Sequence, residues 1–142
     1  MKVQPADERL TVKLRARGQR VTSQRLLIHR ALAAREQHVT AEEMHATVSE
    51  QLPGTSLPTV YATLELFEQL GLVRRVSTGS GPVLYDSHVE PHAHAICRRC
   101  GAIADLDEND PPAATLASAR RLGFTPDHAQ LLVWGTCAAC AT

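Results

Sequence analysis

Apolar residues return at helical spacing through the first half of the chain. Leu10 and Leu14 mark a first helix over residues 7–17, closed by Gly18. A second helix over 23–35 follows the cap-type residue Thr22 and carries Leu27, Ala31 and Ala34 as its apolar stripe. Thr40-Ala41-Glu42-Glu43 is a capping box, opening a helix with Met44 and Val48 inward that ends near Pro53-Gly54. Ser56 caps the next helix, where Pro58 is tolerated in the first turn and Val60, Leu64 and Phe67 fall at i, i+4 and i+7 before Gly71. The period then changes: residues 72–76 and 83–85 read as strands joined by the turn-rich Ser77-Thr78-Gly79-Ser80-Gly81-Pro82. Helix, helix, helix, hairpin is the order of a winged helix-turn-helix, a scaffold that lays one helix in the DNA major groove.

A second region of different character begins past Asp86. Residues 93–97 and 102–106 are strand-like, Asn109-Asp110-Pro111-Pro112 signals a helix start, and Leu116, Ala119 and Leu122 recur on one helix face before Gly123. A last strand over 130–134 runs into Cys137. The predicted class is therefore α+β: a winged-helix domain over 1–86, a hinge over 87–91, and a small α/β domain over 92–142. At 142 residues the chain divides into two small domains, and a 51-residue second domain needs a metal staple or a dimer interface to hold together.

The formal net charge of zero conceals an asymmetry. Residues 1–85 carry 11 Lys/Arg against 8 Asp/Glu, and residues 86–142 carry 4 against 7. From Arg9 to Arg35 there are eight basic residues and no acidic one, which suits nucleic acid, the bland alternative being a solvated helical face. No apolar run approaches the roughly 18 residues that span a bilayer, and the opening residues lack a signal peptide's apolar region, so a cytoplasmic protein without membrane contact is expected.

Four cysteines stand as two pairs, Cys97-x-x-Cys100 and Cys137-x-x-Cys140. Each pair can give two thiolates to one tetrahedral zinc, and four sulfurs leave no open position for a substrate, so a structural zinc is expected, one per subunit; a redox dithiol pair is the alternative. Just upstream, His92 and His94 share one face of the predicted strand while Cys97 lies on the other. With Asp86, Asp105 and His38 they form a sulfur-free His/carboxylate set, suited to Fe(II) or Mn(II) and tolerant of Zn, Co or Ni. Such ligands come from both halves of the chain, so binding one ion would set the angle between them.

These residues carry a family resemblance. Gly18-Gln19-Arg20-Val21-Thr22-Ser23-Gln24-Arg25, Pro58-Thr59-Val60-Tyr61-Ala62-Thr63-Leu64, Gly71-Leu72-Val73, His92-x-His94-x-x-Cys97-x-x-Cys100-Gly101 and Gly135-x-Cys137-x-x-Cys140 together resemble the ferric uptake regulator (Fur) superfamily, from about residue 10 to residue 140. The resemblance implies a homodimeric, metal-activated repressor, not an enzyme, that binds a palindromic operator in double-stranded DNA. It also implies that the second domain mediates dimerisation. Carried over by position, His38, Asp86, His92, His94 and Asp105 resemble the regulatory Fe(II)/Mn(II) site of the peroxide-sensing (PerR-type) branch, one ion per subunit. In that branch hydrogen peroxide oxidises a ligand histidine and DNA is released. An aspartate at 105 favours this branch, an iron- or manganese-uptake regulator being the alternative.

Two departures matter. Pro91 and Ala93 occupy positions that supply a further metal site in many relatives, so no such site is expected, although His128 is a candidate displaced ligand. Ala62 stands where relatives often carry arginine or asparagine, and no Lys or Arg occurs from Leu57 to Leu70. Base reading is therefore assigned to Ser56, Thr59, Tyr61 and Thr63, with Arg20 and Arg25 on phosphates or in the minor groove. A zinc hydrolase is disfavoured because that chemistry needs a His-x-Glu step and an open zinc position, whereas His94 and Ile96 stand two residues after His92 and His94 and four cysteines saturate the metal. A metallochaperone reading leaves the winged-helix order and the acid-free basic segment unexplained.

Overall fold

The computed structural model describes residues 5–35, 38–79, 81–89, 92–106, 113–126 and 129–141. It forms two compact units, Met1–Val89 and Glu90–Thr142. In the first unit the order is α1 (Pro5–Ala16), α2 (Ser23–Ala34), α3 (Ala41–Ser49), α4 (Leu57–Gln69), β1 (Arg74–Val76) and β2 (Leu84–Asp86). In the second it is β3 (His94–Cys97), β4 (Ile103–Asp105), α5 (Ala113–Arg121) and β5 (Leu132–Gly135).

Local chemistry sets the helix starts. The hydroxyls of Thr22, Thr40 and Ser56 accept from the backbone N–H three residues on, Arg25, Glu43 and Thr59, each satisfying a donor the helix cannot. Helix α4 stops where Gly71 adopts a φ of 72° and the N–H of Leu72 reaches back to the carbonyl of Phe67 at 2.9 Å, a left-handed cap that glycine adopts without strain. Leu10, Leu14, Ile28, Met44, Val48, Val60, Leu64 and Phe67 form the core of this unit. On α2 the buried stripe is centred on Ile28 and Leu32; Leu27 and Ala31 are only half-buried and Ala34 is exposed. The apolar face is thus turned from the one expected, because α2 packs against α3, α1 and α4 and these neighbours cover the Ile28 and Leu32 side. A bidentate ion pair ties α1 to α2, with Arg30 donating from Nη2 to Asp7 Oδ2 at 2.7 Å.

Strands β1 and β2 pair antiparallel as the wing, and Val39 forms a further antiparallel bridge to Tyr85. Helices α2 to α4 with this hairpin make a winged helix-turn-helix.

The second unit holds a sheet of order β4-β3-β5, with β3 antiparallel to β4 and parallel to β5. Helix α5 fully buries none of its residues, and Leu122, just past its end, is 76 % exposed, so among the described residues the expected stripe of Leu116, Ala119 and Leu122 is at most half-covered. Its expected start at residues 109–112 lies outside the described residues, as do Pro91 and His128.

Candidate metal centres and DNA-facing surface

The parallel pairing of β3 and β5 explains how two cysteine pairs, far apart in sequence, come together. Both strands run the same way, with Cys97 opposite Gly135, so the turns that follow them emerge side by side. Arg98 N–H bonds the Gly135 carbonyl at 2.8 Å, and Cys137 N–H reaches Cys97 Sγ at 3.4 Å. All four sulfurs lie within 4.8 Å of one another, with Cys100 and Cys137 3.7 Å apart. A tetrahedral zinc with bonds of about 2.3 Å requires sulfurs about 3.8 Å apart, whereas a disulfide needs about 2.05 Å. The set fits a four-coordinate ion. Backbone N–H groups of Cys137, Cys100 and Arg99 lower the Cys97 thiol to about 6, while neighbouring sulfurs push Cys140 up to about 12. So many negative sulfurs cannot coexist unless a cation neutralises them.

On the other face of β3, His94 pairs across the ladder with Asp105. One carboxylate oxygen of Asp105 lies 3.1 Å from His92 Nε2 and 3.3 Å from His94 Nε2. The two rings lie 4.4 Å apart between centroids and are tilted by 56°. His92 and His94 are buried and Asp105 is 42 % exposed at its side chain. Two imidazole nitrogens and an oxygen thus converge on one small volume without any sulfur, the donor chemistry of a borderline or hard divalent ion.

The first unit carries a second pair. The Val39–Tyr85 bridge is closed by two backbone hydrogen bonds, 3.0 and 2.8 Å, and antiparallel register then sets His38 opposite Asp86. His38 Nε2 lies 3.1 Å from Asp86 Oδ2, and both side chains are buried. The other Asp86 oxygen accepts from the backbone N–H of His88 at 2.9 Å, which fixes the carboxylate's orientation.

The remaining expected residues lie around α4. Ser56 and Tyr61 are exposed, and Thr59 is half-buried with its hydroxyl 2.9 Å from that of Ser56. Thr63 differs from expectation: it is 5 % exposed and its hydroxyl donates to the Thr59 carbonyl at 2.8 Å. One position past the exposed Ala62, it turns into the helix packing with its hydroxyl proton already committed to the backbone. Tyr61 donates its hydroxyl to Glu42 at 2.7 Å, which raises the tyrosine above its ordinary pKa and lowers the glutamate below its own. Glu42 was not among the expected residues, although its place in the capping box of α3 puts it beside α4. Arg20 is exposed, whereas Arg25 donates to the Arg20 carbonyl at 2.6 Å and to Gln19 Oε1 at 3.3 Å. Among the other histidines, His29 packs edge-on against Phe67 and His45 bonds the Thr55 carbonyl at 2.9 Å, both structural roles.

Comparison with known proteins agrees with this arrangement. The profile of the ferric uptake regulator family matches residues 16–134. The peroxide-responsive repressor PerR of Staphylococcus epidermidis is 31% identical over 138 residues, 94% of this chain and 89% of that protein. Among solved structures, the ferric uptake regulator of Helicobacter pylori superposes with a TM-score of 0.78 at 20% identity, over 95% of this chain and 91% of that one. A zinc uptake regulator solved with zinc and DNA gives 0.72 at 25% identity, over 97% and 96%. With a profile spanning most of the sequence and the winged helix, thiolate cluster and His/Asp donors in place, the chain belongs to the ferric uptake regulator family of metal-responsive, DNA-binding transcription regulators.

Proposed function

We propose that this chain is a homodimeric repressor whose hold on a palindromic operator is set by one regulatory divalent ion per subunit, with peroxide as the signal. The observation that carries the reading is the division of labour on β3, which offers Cys97 to an all-sulfur site from one face and His94 to a sulfur-free site from the other. Zinc in the thiolate site is structural, since four sulfurs leave no position open. The regulatory ion is assigned to His92, His94 and Asp105 together with His38 and Asp86. Neither half-set fills a coordination sphere alone, and one ion held by both ties the DNA-reading unit to its neighbour in a single pose. Its donors suit Fe(II) or Mn(II).

For peroxide sensing, the support is the 31% identity to a peroxide-responsive repressor together with the aspartate at 105. An Fe(II) ion held there would assist cleavage of the peroxide O–O bond. The chain's part would be to hold imidazole carbons of His38 and His92 beside that ion, so that one peroxide oxygen enters an imidazole C–H, the histidine gives up two electrons, the other oxygen leaves as water, and the ligand is lost. DNA binding is assigned to α4, with Ser56, Thr59 and Tyr61 towards the bases and Arg20 towards the backbone.

The test is mass spectrometry of Fe(II)- and Mn(II)-loaded protein after peroxide. One oxygen on His38 or His92 in the iron form alone is expected; equal or absent oxidation in the two forms removes peroxide sensing and leaves metal-uptake control.

A further inference from the structure

Helix α4 is flanked by two clefts of opposite electrical character. One, of about 510 Å³, lies against the turn between α1 and α2 and is lined by Gln19, Arg20, Gln24, Arg25, Thr59 and Ala62, with no carboxylate among its lining residues. The other, of about 450 Å³, lies against the wing and carries Glu42, Glu65 and Glu68 beside Tyr61 and Arg75. A polyanion laid along α4 cannot place its backbone against three carboxylates, so a phosphate ridge belongs in the first cleft.

Within that cleft the sequence suggests that Arg25 grips phosphate. Two of its N–H donors are instead held by the protein: Nη1 donates to the Arg20 carbonyl at 2.6 Å and Nη2 to Gln19 Oε1 at 3.3 Å. A guanidinium can only donate, so it forces the Gln19 side chain to present its oxygen inward and its NH2 group away from Arg25. The same fork pins the backbone that carries Arg20. We propose that the cleft between the α1–α2 turn and α4 is the seat of one DNA backbone phosphate, contacted by the Gln19 amide and the Arg20 guanidinium, and that Arg25 is the positioning residue that aims the Gln19 amide.

The proposal rests on the DNA-binding reading above, and the experiment separates the two. Metal-loaded protein is titrated by fluorescence anisotropy against the palindromic duplex that the wild type selects from a random pool, from low to moderate salt. Arg20→Ala should lower the slope of log affinity against log salt by about 0.9 for each subunit on the palindrome, about 1.8 for a dimer, one phosphate's worth of released counterion per subunit. Gln19→Ala should weaken binding about tenfold with the slope unchanged. Arg25→Ala should weaken binding at unchanged slope, and the fold-loss in the Q19A/R25A double variant should be smaller than the product of the two single fold-losses, since both remove the same contact. Arg25→Lys should also lose affinity despite keeping its charge, because an ammonium cannot reach both acceptors as a planar fork does. A slope that falls by about 1.8 on Arg25→Ala, or full affinity in Arg25→Lys, would show that Arg25 meets the phosphate itself and would overturn the positioning role. Retained slope in Arg20→Ala with full affinity in Gln19→Ala would empty the seat while leaving DNA binding intact. Failure of the wild type to select or hold any duplex would overturn the DNA-binding reading as well.

Discussion

Replacing Cys137 by serine should unfold the second unit and leave the first one standing. Among the described residues, the second unit buries few apolar side chains, Ala93, Ile96 and Cys97, while Val133, Trp134, Leu122 and Phe124 remain exposed. The sheet is three strands of three or four residues, and the thiolate cluster is what joins the turns after β3 and β5. Structural zinc sites of this type contribute about 10–16 kcal/mol of folding free energy, against a total of about 5–15 kcal/mol for an ordinary domain. Loss of a thiolate therefore removes most or all of what holds this unit. The first unit keeps its own core around Leu64 and Phe67 and should be unaffected. Limited trypsin digestion reads the outcome, since Arg98 and Arg99 lie in the first knuckle and Arg120 and Arg121 at the end of α5. The sole tryptophan, Trp134 on β5 with Arg98 over its ring at 5.9 Å, adds a local optical signal. The variant should be cut rapidly at these arginines, yield a trypsin-resistant winged-helix fragment that keeps its helical circular dichroism, and show low Trp134 anisotropy. A variant, or a zinc-stripped wild type, with wild-type resistance at Arg98 and unchanged anisotropy would refute the reasoning.

Further outcomes follow from the first unit. Phe67→Ala, at a fully buried position on α4, should cost about 3–5 kcal/mol in urea unfolding of this unit, as expected for a large cavity in a packed core. Tyr61→Phe removes only the hydroxyl already committed to Glu42, so operator affinity should change less than about threefold, whereas Tyr61→Ala, which also removes the ring, should cost about 1–3 kcal/mol in anisotropy titrations. Burial lowers the His29 pKa from its ordinary 6.5, so the unfolded chain binds the proton first as pH falls. Its contribution to stability is complete above 6.5 and is lost as pH drops through the lower folded value. His29→Gln should therefore lose less stability than wild type between about pH 7.5 and pH 5 in urea titrations.

What the sequence discloses and what it hides divide along a physical line. Thr22, Thr40 and Ser56 are legible as caps because a cap is decided within three residues. Cys97, Cys100, Cys137 and Cys140 are legible because thiolates at knuckle spacing have few other uses, and alternation along a strand separates His94 from Cys97. Less visible are features that depend on tertiary partners. Asp7 and Arg30 pair across two helices, and nothing in either local sequence names the other. The face α2 buries is chosen by its neighbours, which favour Ile28 and Leu32 over the stripe of Leu27, Ala31 and Ala34. Thr63 looks like a reader of bases from its place among hydroxyl residues, yet packing turns it inward. Arg25 looks like a phosphate contact by charge alone, and its hydrogen bonds to Gln19 and the Arg20 carbonyl emerge only once the α1–α2 turn is folded.

The central claim is that a regulatory ion, distinct from the zinc, sets the affinity for DNA. The most direct measurement is the operator dissociation constant of zinc-replete protein with and without Mn(II). Tightening by about 5- to 150-fold, the usual span of coupling between two sites, is the expected result, and it should vanish in Asp105→Ala. Equal dissociation constants with and without Mn(II), in protein whose zinc is intact, would contradict the account.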